Sequence, residues 1–151
     1  MMIRALEPAA EVPDREQVRR GIELVREGWV KEFRETTGLS RNHVGGYLGS
    51  HGNHVKRWER GIGDDGGVLW VHWRSALRIA DLHAAFGAAE EWLEHEGIGW
   101  DEVTPLRVAA YKLGIATTTL RSRLTGLSVE PIDFGMMGQW ILKKEARLCR
   151  R

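Results

Sequence analysis

The stretch GLSRNHVGGYLGSHGNHVKRWERG, residues 38–61, sets six glycines inside a regular apolar rhythm. Val44, Leu48, Val55 and Trp58 recur at helical spacing, yet Gly45, Gly46, Gly49 and Gly52 would weaken any continuous helix. Two short helices crossing at a tight turn satisfy both facts. Gly49 can take the left-handed backbone conformation that such a turn needs, at no steric cost. Gly45 leaves room where the helices cross. The spacing therefore predicts helices over 41–48 and 52–60, with Ser40 as N-cap of the first and Gly61 ending the second. The four apolar residues should face inward, onto a preceding helix.

That preceding helix is expected to begin at Asp14, a good N-cap, with Glu16 in its first turn. Val18, Ile22, Val25, Trp29 and Phe33 form one apolar stripe, and Gly28 is placed to kink or divide it. Residues 1–13, with Pro8 and Pro13, read as a flexible arm, and 61–67, GIGDDGG, as a loop. VLWVHW at 68–73 fits either a strand or a helix start. Residues 74–96 read as one long helix with Ile79, Leu82, Phe86, Ala89 and Leu93 on one face.

Beyond GIGWDEV the helix–turn–helix logic repeats. Thr104 is expected to cap a helix with Pro105 at its first position. That helix runs to Leu113 and Gly114 closes it. Thr117 should then cap a helix over 117–125. Ala109 and Ala110 are small where helices would cross, and Ile115 and Leu120 are apolar plugs. VEPIDFGMMGQWILK reads as a β-hairpin, with Ile132, Phe134, Trp140 and Leu142 on its packed side. Its tip holds Met136 and Met137, which could either pack inward or project as an apolar wedge into a minor groove. KEARLCRR suggests a terminal helical turn. The expected architecture is mainly α: an arm (1–13), a helix-turn-helix domain (14–67), a linking helix (68–100) and a small winged domain (101–151).

Net charge is only +1, but it is segregated. Residues 1–62 hold 11 Lys and Arg against 9 Asp and Glu; residues 63–103 hold 2 against 9; residues 104–151 hold 9 against 3. An acidic middle separating two basic ends suggests two surfaces for a polyanion. Cys149 is the one cysteine, so no internal disulfide can form. The first residues lack a signal-peptide core and no apolar run approaches a membrane span. A cytoplasmic protein with no membrane partner is expected.

The segment FRETTGLSRNHVGGYLGSHGNHVKRWERG resembles, without a gap, the helix-turn-helix of the phage-repressor and Xre type. It departs from that pattern at Ser50, where an apolar residue is usual, and at Gly46. The resemblance implies that residues 52–60 enter the DNA major groove. Gly52, Asn53, Lys56 and Arg57 match groove-facing positions. Asn53 suits adenine, and Lys56 or Arg57 suits guanine. Gly52 would only permit close approach. Ser50 and His51 precede a helix N-terminus that favours phosphate, and Ser40 and Arg41 match the helix start that grips the backbone. Glu59 and Arg60 are expected to cap and pair rather than read bases.

VTPLRVAAYKLGIATTTLRSRL with the hairpin after it is similar to the winged helix-turn-helix of excisionases and MerR-type activators. That likeness brings Thr117, Thr118, Thr119, Arg121 and Arg123 near nucleic acid, mainly phosphate, with Lys143, Lys144 and Arg147 flanking. The order of modules is similar to that of immunity repressors of temperate actinobacterial phages, the mycobacteriophage group in particular. It implies a transcriptional repressor in a bacterial host, one chain on an asymmetric double-stranded DNA site. A 23-residue helix would span about 35 Å, near one turn of DNA, and linking two weak modules makes the second contact intramolecular.

No catalytic triad, phosphate-binding loop or paired-carboxylate site is visible, so no enzyme, cofactor or small-molecule ligand is expected. His43, His51 and His54 lack a cysteine or carboxylate to complete a metal set. The rival expectations are an excisionase-like architectural protein, a dimeric antitoxin or control-type Xre regulator, and a protein-interaction adaptor.

Overall fold

The computed structural model describes residues 14–60 and 71–150. Among them are eight α-helices and one three-stranded antiparallel sheet. The helices are α1 (Arg15–Arg26), α2 (Trp29–Thr37), α3 (Arg41–Tyr47), α4 (Gly52–Glu59), α5 (Trp73–Glu96), α6 (Leu106–Leu113), α7 (Thr117–Gly126) and α8 (Lys143–Arg147). The strands are β1 (Val103–Pro105), β2 (Ile132–Asp133) and β3 (Gln139–Leu142). Two compact units divide between Ala84 and Ala85, inside α5 rather than at either of its ends. The expected arm, the GIGDDGG loop, the Gly61 helix stop and most of VLWVHW lie outside the described residues; Val71 and His72 precede α5, which starts at Trp73.

In the first unit, Asp14 caps α1 through its carboxylate, which accepts from Gln17 N at 3.1 Å. Gly28 divides the predicted long helix into α1 and α2; it sits at φ +81, which only glycine adopts without strain. Leu24, Val25, Trp29, Val30 and Phe33 are buried, so α1 and α2 together turn one apolar surface inward. Val44 of α3, Leu48 just after it, and Val55 and Trp58 of α4 close the core, none more than 4% exposed. The first half of α5 adds Ala76, Ile79, Ala80 and Leu82. It lies so close to α1 that a Cβ on Gly21 would stand 2.0 Å from the Ala76 carbonyl oxygen.

The second unit is built on its sheet, in the order β1-β3-β2. Val103 pairs with Leu142 and Pro105 with Trp140; Ile132 also pairs with Trp140. Successive residues of β3 point to opposite faces. Ile141 joins Leu106, Ala109, Ala110, Leu120, Leu124, Ala146 and Cys149 under α6, α7 and α8. Trp140 faces the other way, into rings of Trp100 and Phe134 at 5.5 and 5.7 Å, and its Nε1 donates to the Met137 carbonyl at 3.0 Å. Phe86 stacks on Trp100 and Trp92 meets Phe134 edge-on, so the second half of α5 covers this aromatic face.

Three local expectations are corrected here. Thr104 does not cap a helix; it is buried in β1, opposite Ile141, and Pro105 occupies the N-cap position of α6. Pairing with β3 holds this stretch extended. Thr117 is the first residue of α7 rather than its cap, which is Ala116 with no side-chain bond. Of the two placements open to the tip methionines, Met137 takes the inward one, buried beneath Trp140. The hairpin is also not a whole sheet: it supplies two of three strands, and the third, β1, comes from before α6.

Gly45 and Gly46 are neighbours with opposite roles. A Cβ on Gly45 would meet His51 Cα at 2.8 Å, whereas nothing lies within 4 Å of one on Gly46. Gly45→Ala should therefore lower stability by about 2 kcal/mol or more, from overpacking against backbone. Gly46→Ala, exposed within a helix, should raise it by about 0.5–1 kcal/mol. Thermal unfolding of the two variants against wild type checks the opposite signs.

Candidate nucleic-acid interface

The site is the outer face of α4, and three features hold that helix in place. The first is the turn before it. Ser40 caps α3 by accepting from His43 N at 3.1 Å. That helix ends at Tyr47; Gly49 follows at φ +67, and Ser50 N donates back to the Gly45 carbonyl at 2.8 Å. The Arg78 guanidinium lies against the turn, 3.2 Å from where a Gly49 Cβ would be.

The second feature is a cap supplied from α3. Asn42 Oδ1 accepts from Gly52 N at 3.2 Å, satisfying one of the orphan donors at the α4 N-terminus. A Cβ on Gly52 would stand 2.4 Å from that oxygen. Gly52 thus makes room for Asn42 of its own chain. Just before it, the Ser50 hydroxyl is hydrogen-bonded to His54 Nδ1, and the His51 and His54 rings stack at 4.2 Å. These contacts, with His43 Nε2 bonded to the Tyr47 hydroxyl at 3.1 Å, account for the three histidines of the stretch.

The third feature clamps the other end. Glu59 carries a side chain only 5% exposed. It accepts from Arg34 of α2 through both Nε and Nη2, the latter at 3.1 Å, and from Arg41 of α3 through Nε and Nη2 at 3.2 and 3.1 Å. Burial alone would push the Glu59 carboxyl up; hydrogen bonds from Arg34 and Arg41, with their charges, outweigh it and hold it below the usual glutamate range. The same bonds raise Arg34. One carboxylate therefore ties three helices together, and much of Arg41 is committed to it rather than presented outward.

α4 presents Asn53, Lys56 and Arg57 outward, with Arg60 at its C-cap, all exposed; Lys56 and Arg57 fall three and four residues after Asn53. The side chains of Asn53, Lys56 and Arg57 make no hydrogen bond or ion pair among the described residues. Behind them Val55 is fully buried and Trp58 is 4% exposed. His51 is exposed at the helix start. The sequence-predicted residues of this unit are thus brought to one place, with Ser40, Ser50 and Gly52 shaping the frame and Asn53, Lys56 and Arg57 forming its outer edge. Sequence reasoning missed Asn42, Arg34 and Arg78. The only signal for Asn42 was its position at the start of one helix, with a glycine at the start of the next.

In the second unit, Thr118, Thr119 and Arg121 are exposed on α7, and Thr117 and Arg123 are half-buried. Arg121 Nε donates to Gln139 Oε1 at 2.9 Å, and Arg123 Nη1 donates to the Cys149 carbonyl at 2.8 Å. Both arginines brace the hairpin and the terminal turn with part of their donor capacity. Among the described residues, no helix is long and apolar enough to cross a membrane. The chain matches no family model, no curated protein and no solved structure.

Acid should weaken the first unit in two steps. Burial first, then the Arg20 charge, against the pull of Glu27, holds His83 below its ordinary value of 6.5. The unfolded imidazole therefore binds protons first, and stability falls as pH drops from about 6.5 towards the lowered folded value. Glu59 is depressed as well, so its contribution is present above about pH 4.5 and is lost as pH falls below that. Glu59→Gln should cost about 1–2 kcal/mol at pH 7, less than a fully buried pair because both guanidiniums keep some water. It should also flatten the melting-temperature profile below pH 4.5 and leave the step near 6.5 unchanged.

Proposed function

We propose that the protein is a sequence-specific, double-stranded DNA-binding transcriptional repressor of the phage-immunity kind. In this reading α3 and α4 are a helix-turn-helix, and α4 lies in the major groove with Asn53 and Arg57 against base edges and Lys56 on phosphate. The second unit acts as a winged module on neighbouring DNA through Thr118, Thr119 and the remaining donors of Arg121. One chain occupies an asymmetric site, and repression is steric: the bound protein blocks polymerase in the bacterial host.

One observation carries the reading. The outer face of α4 holds a side-chain amide, an ammonium and a guanidinium with no partner among the described residues, on a helix locked from behind by Trp58 and Glu59. A rigid helix with unspent donors is what base recognition requires. The engagement of Arg41 with Glu59 moves the weight of phosphate contact toward Lys56, Arg60 and the Asn53 N–H.

Selection from a random duplex pool tests this directly. An asymmetric preferred motif longer than one half-site is expected; a palindrome would contradict the single-chain reading. Arg57→Ala should lose about 1–3 kcal/mol of discrimination at one base position. Lys56→Ala should lower the slope of log K against log salt by about 1 if its ammonium lies on phosphate. Unchanged site preference in Arg57→Ala would remove α4 as the reading element.

A further inference from the structure

The charge of the second unit is sorted more finely than its total shows. Residues 104–151 hold only three acidic side chains, Glu130, Asp133 and Glu145, against nine Lys and Arg. All three line one open groove of about 680 Å³, between the second half of α5 and residues 130–135. Glu96 of α5 adds a fourth carboxylate, and no lysine or arginine among the described residues lines the groove. Glu96, Glu130 and Glu145 make no ion pair among the described residues, and Asp133 accepts from the Gly135 N–H at 2.8 Å.

The rest of the lining is mainly apolar. Ala85, Ala88 and Trp92 come from α5 at helical spacing, and the sheet adds Ile132 and Leu142. The alanines leave space beside the Trp92 indole, which is 39% exposed and held edge-on to Phe134 at 5.9 Å. With the strand order β1-β3-β2, β2 is paired on one side only. An edge strand beside a helix is a place where an extended segment can add its own backbone pairing.

These features select the occupant. Four carboxylates with no counter-charge repel a polyanion and attract cations. Apolar walls and an exposed indole favour aliphatic side chains and the long stems of lysine and arginine over a wholly hydrophilic ion. We propose that this groove is a docking site for an extended segment of another protein in which lysine or arginine alternates with large aliphatic residues. Successive side chains of such a segment point to opposite sides. Its aliphatic residues pack on Trp92 and Ile132, and its cations meet the exposed carboxylates. The inference does not rest on the DNA-binding reading, and the groove shares no residue with the outer face of α4.

The test titrates a short blocked peptide alternating lysine and leucine into isotope-labelled full-length protein without DNA, followed by amide and indole NMR resonances. Saturable shifts are expected at the Trp92 indole and at the Ile132 and Asp133 amides, with the α4 amides still. Raised salt should weaken binding without abolishing it, since the ion pairs are screened and the apolar contact is not. Peptides with glutamate for lysine, or glycine for leucine, should bind at least about tenfold more weakly. So should spermidine, which brings cations without aliphatic side chains. Glu96→Lys/Glu130→Lys should weaken binding of the lysine–leucine peptide at least about tenfold. Both positions are exposed, so circular dichroism should be unchanged. An absence of saturable binding, shifts centred away from the groove, or an affinity untouched by the two charge reversals would overturn the proposal. So would spermidine binding as tightly as the peptide, which would make the groove a polyamine site. Self-association of the peptide-free protein that the reversals abolish would overturn it as well, by making the occupant a second copy.

Discussion

The backbone of Gly45 against the backbone of His51 is the contact on which the candidate site depends. With no Cβ in the way, α3 approaches the start of α4 closely enough for Ser50 N to reach the Gly45 carbonyl. That approach sets where α4 begins and how far it stands off the core. Everything after it is registration. Asn42 fixes the first turn, Val55 and Trp58 fix the inner face, and Glu59 fixes the far end against α2 and α3. The helix is held at both ends and along one side, which leaves a single strip of polar side chains to do something else.

The electrostatics of that strip follow from where the one carboxylate of α4 goes. Glu59 on the outer face would sit among Lys56, Arg57 and Arg60 and quench them. Turned inward, it is neutralised by Arg34 and Arg41, and the outer face keeps its positive charge. The cost is that Arg41 faces two ways. A guanidinium with five donors can serve a carboxylate and still offer an N–H elsewhere, but it is no longer a mobile cation.

Local chemistry was legible in the sequence, and non-local pairing was not. Asp14 and Ser40 as caps, Gly28 as a divider, and Gly49 and Gly114 as turns all act within a few residues, so composition and spacing reveal them. The Thr104–Pro105 signal was misleading because its competitor lies some 36 residues away. Val103–Pro105 pairs with β3, and a strand-end proline looks the same in sequence as a helix-start one. The approach of Gly21 to Ala76 joins residues 55 apart and left no local trace. Arg121 and Arg123 looked like free cations for the same reason: their partners, Gln139 and the Cys149 carbonyl, come from elements that meet α7 only in the folded unit. Fold class and the outer residues of α4 were readable; the clamp and the cap that fix them needed coordinates.

If α4 reads DNA, its outer face meets base pairs while its inner face stays on the core. Amide and side-chain NMR resonances, followed as the selected duplex is titrated into the full-length protein, test it most directly. Large shifts are expected at the Asn53 side-chain amide, at the Lys56 and Arg57 backbone and at the Arg57 guanidinium, with the Trp58 indole nearly still. Strong binding that leaves those α4 signals unmoved, or that displaces Trp58 instead, would contradict it.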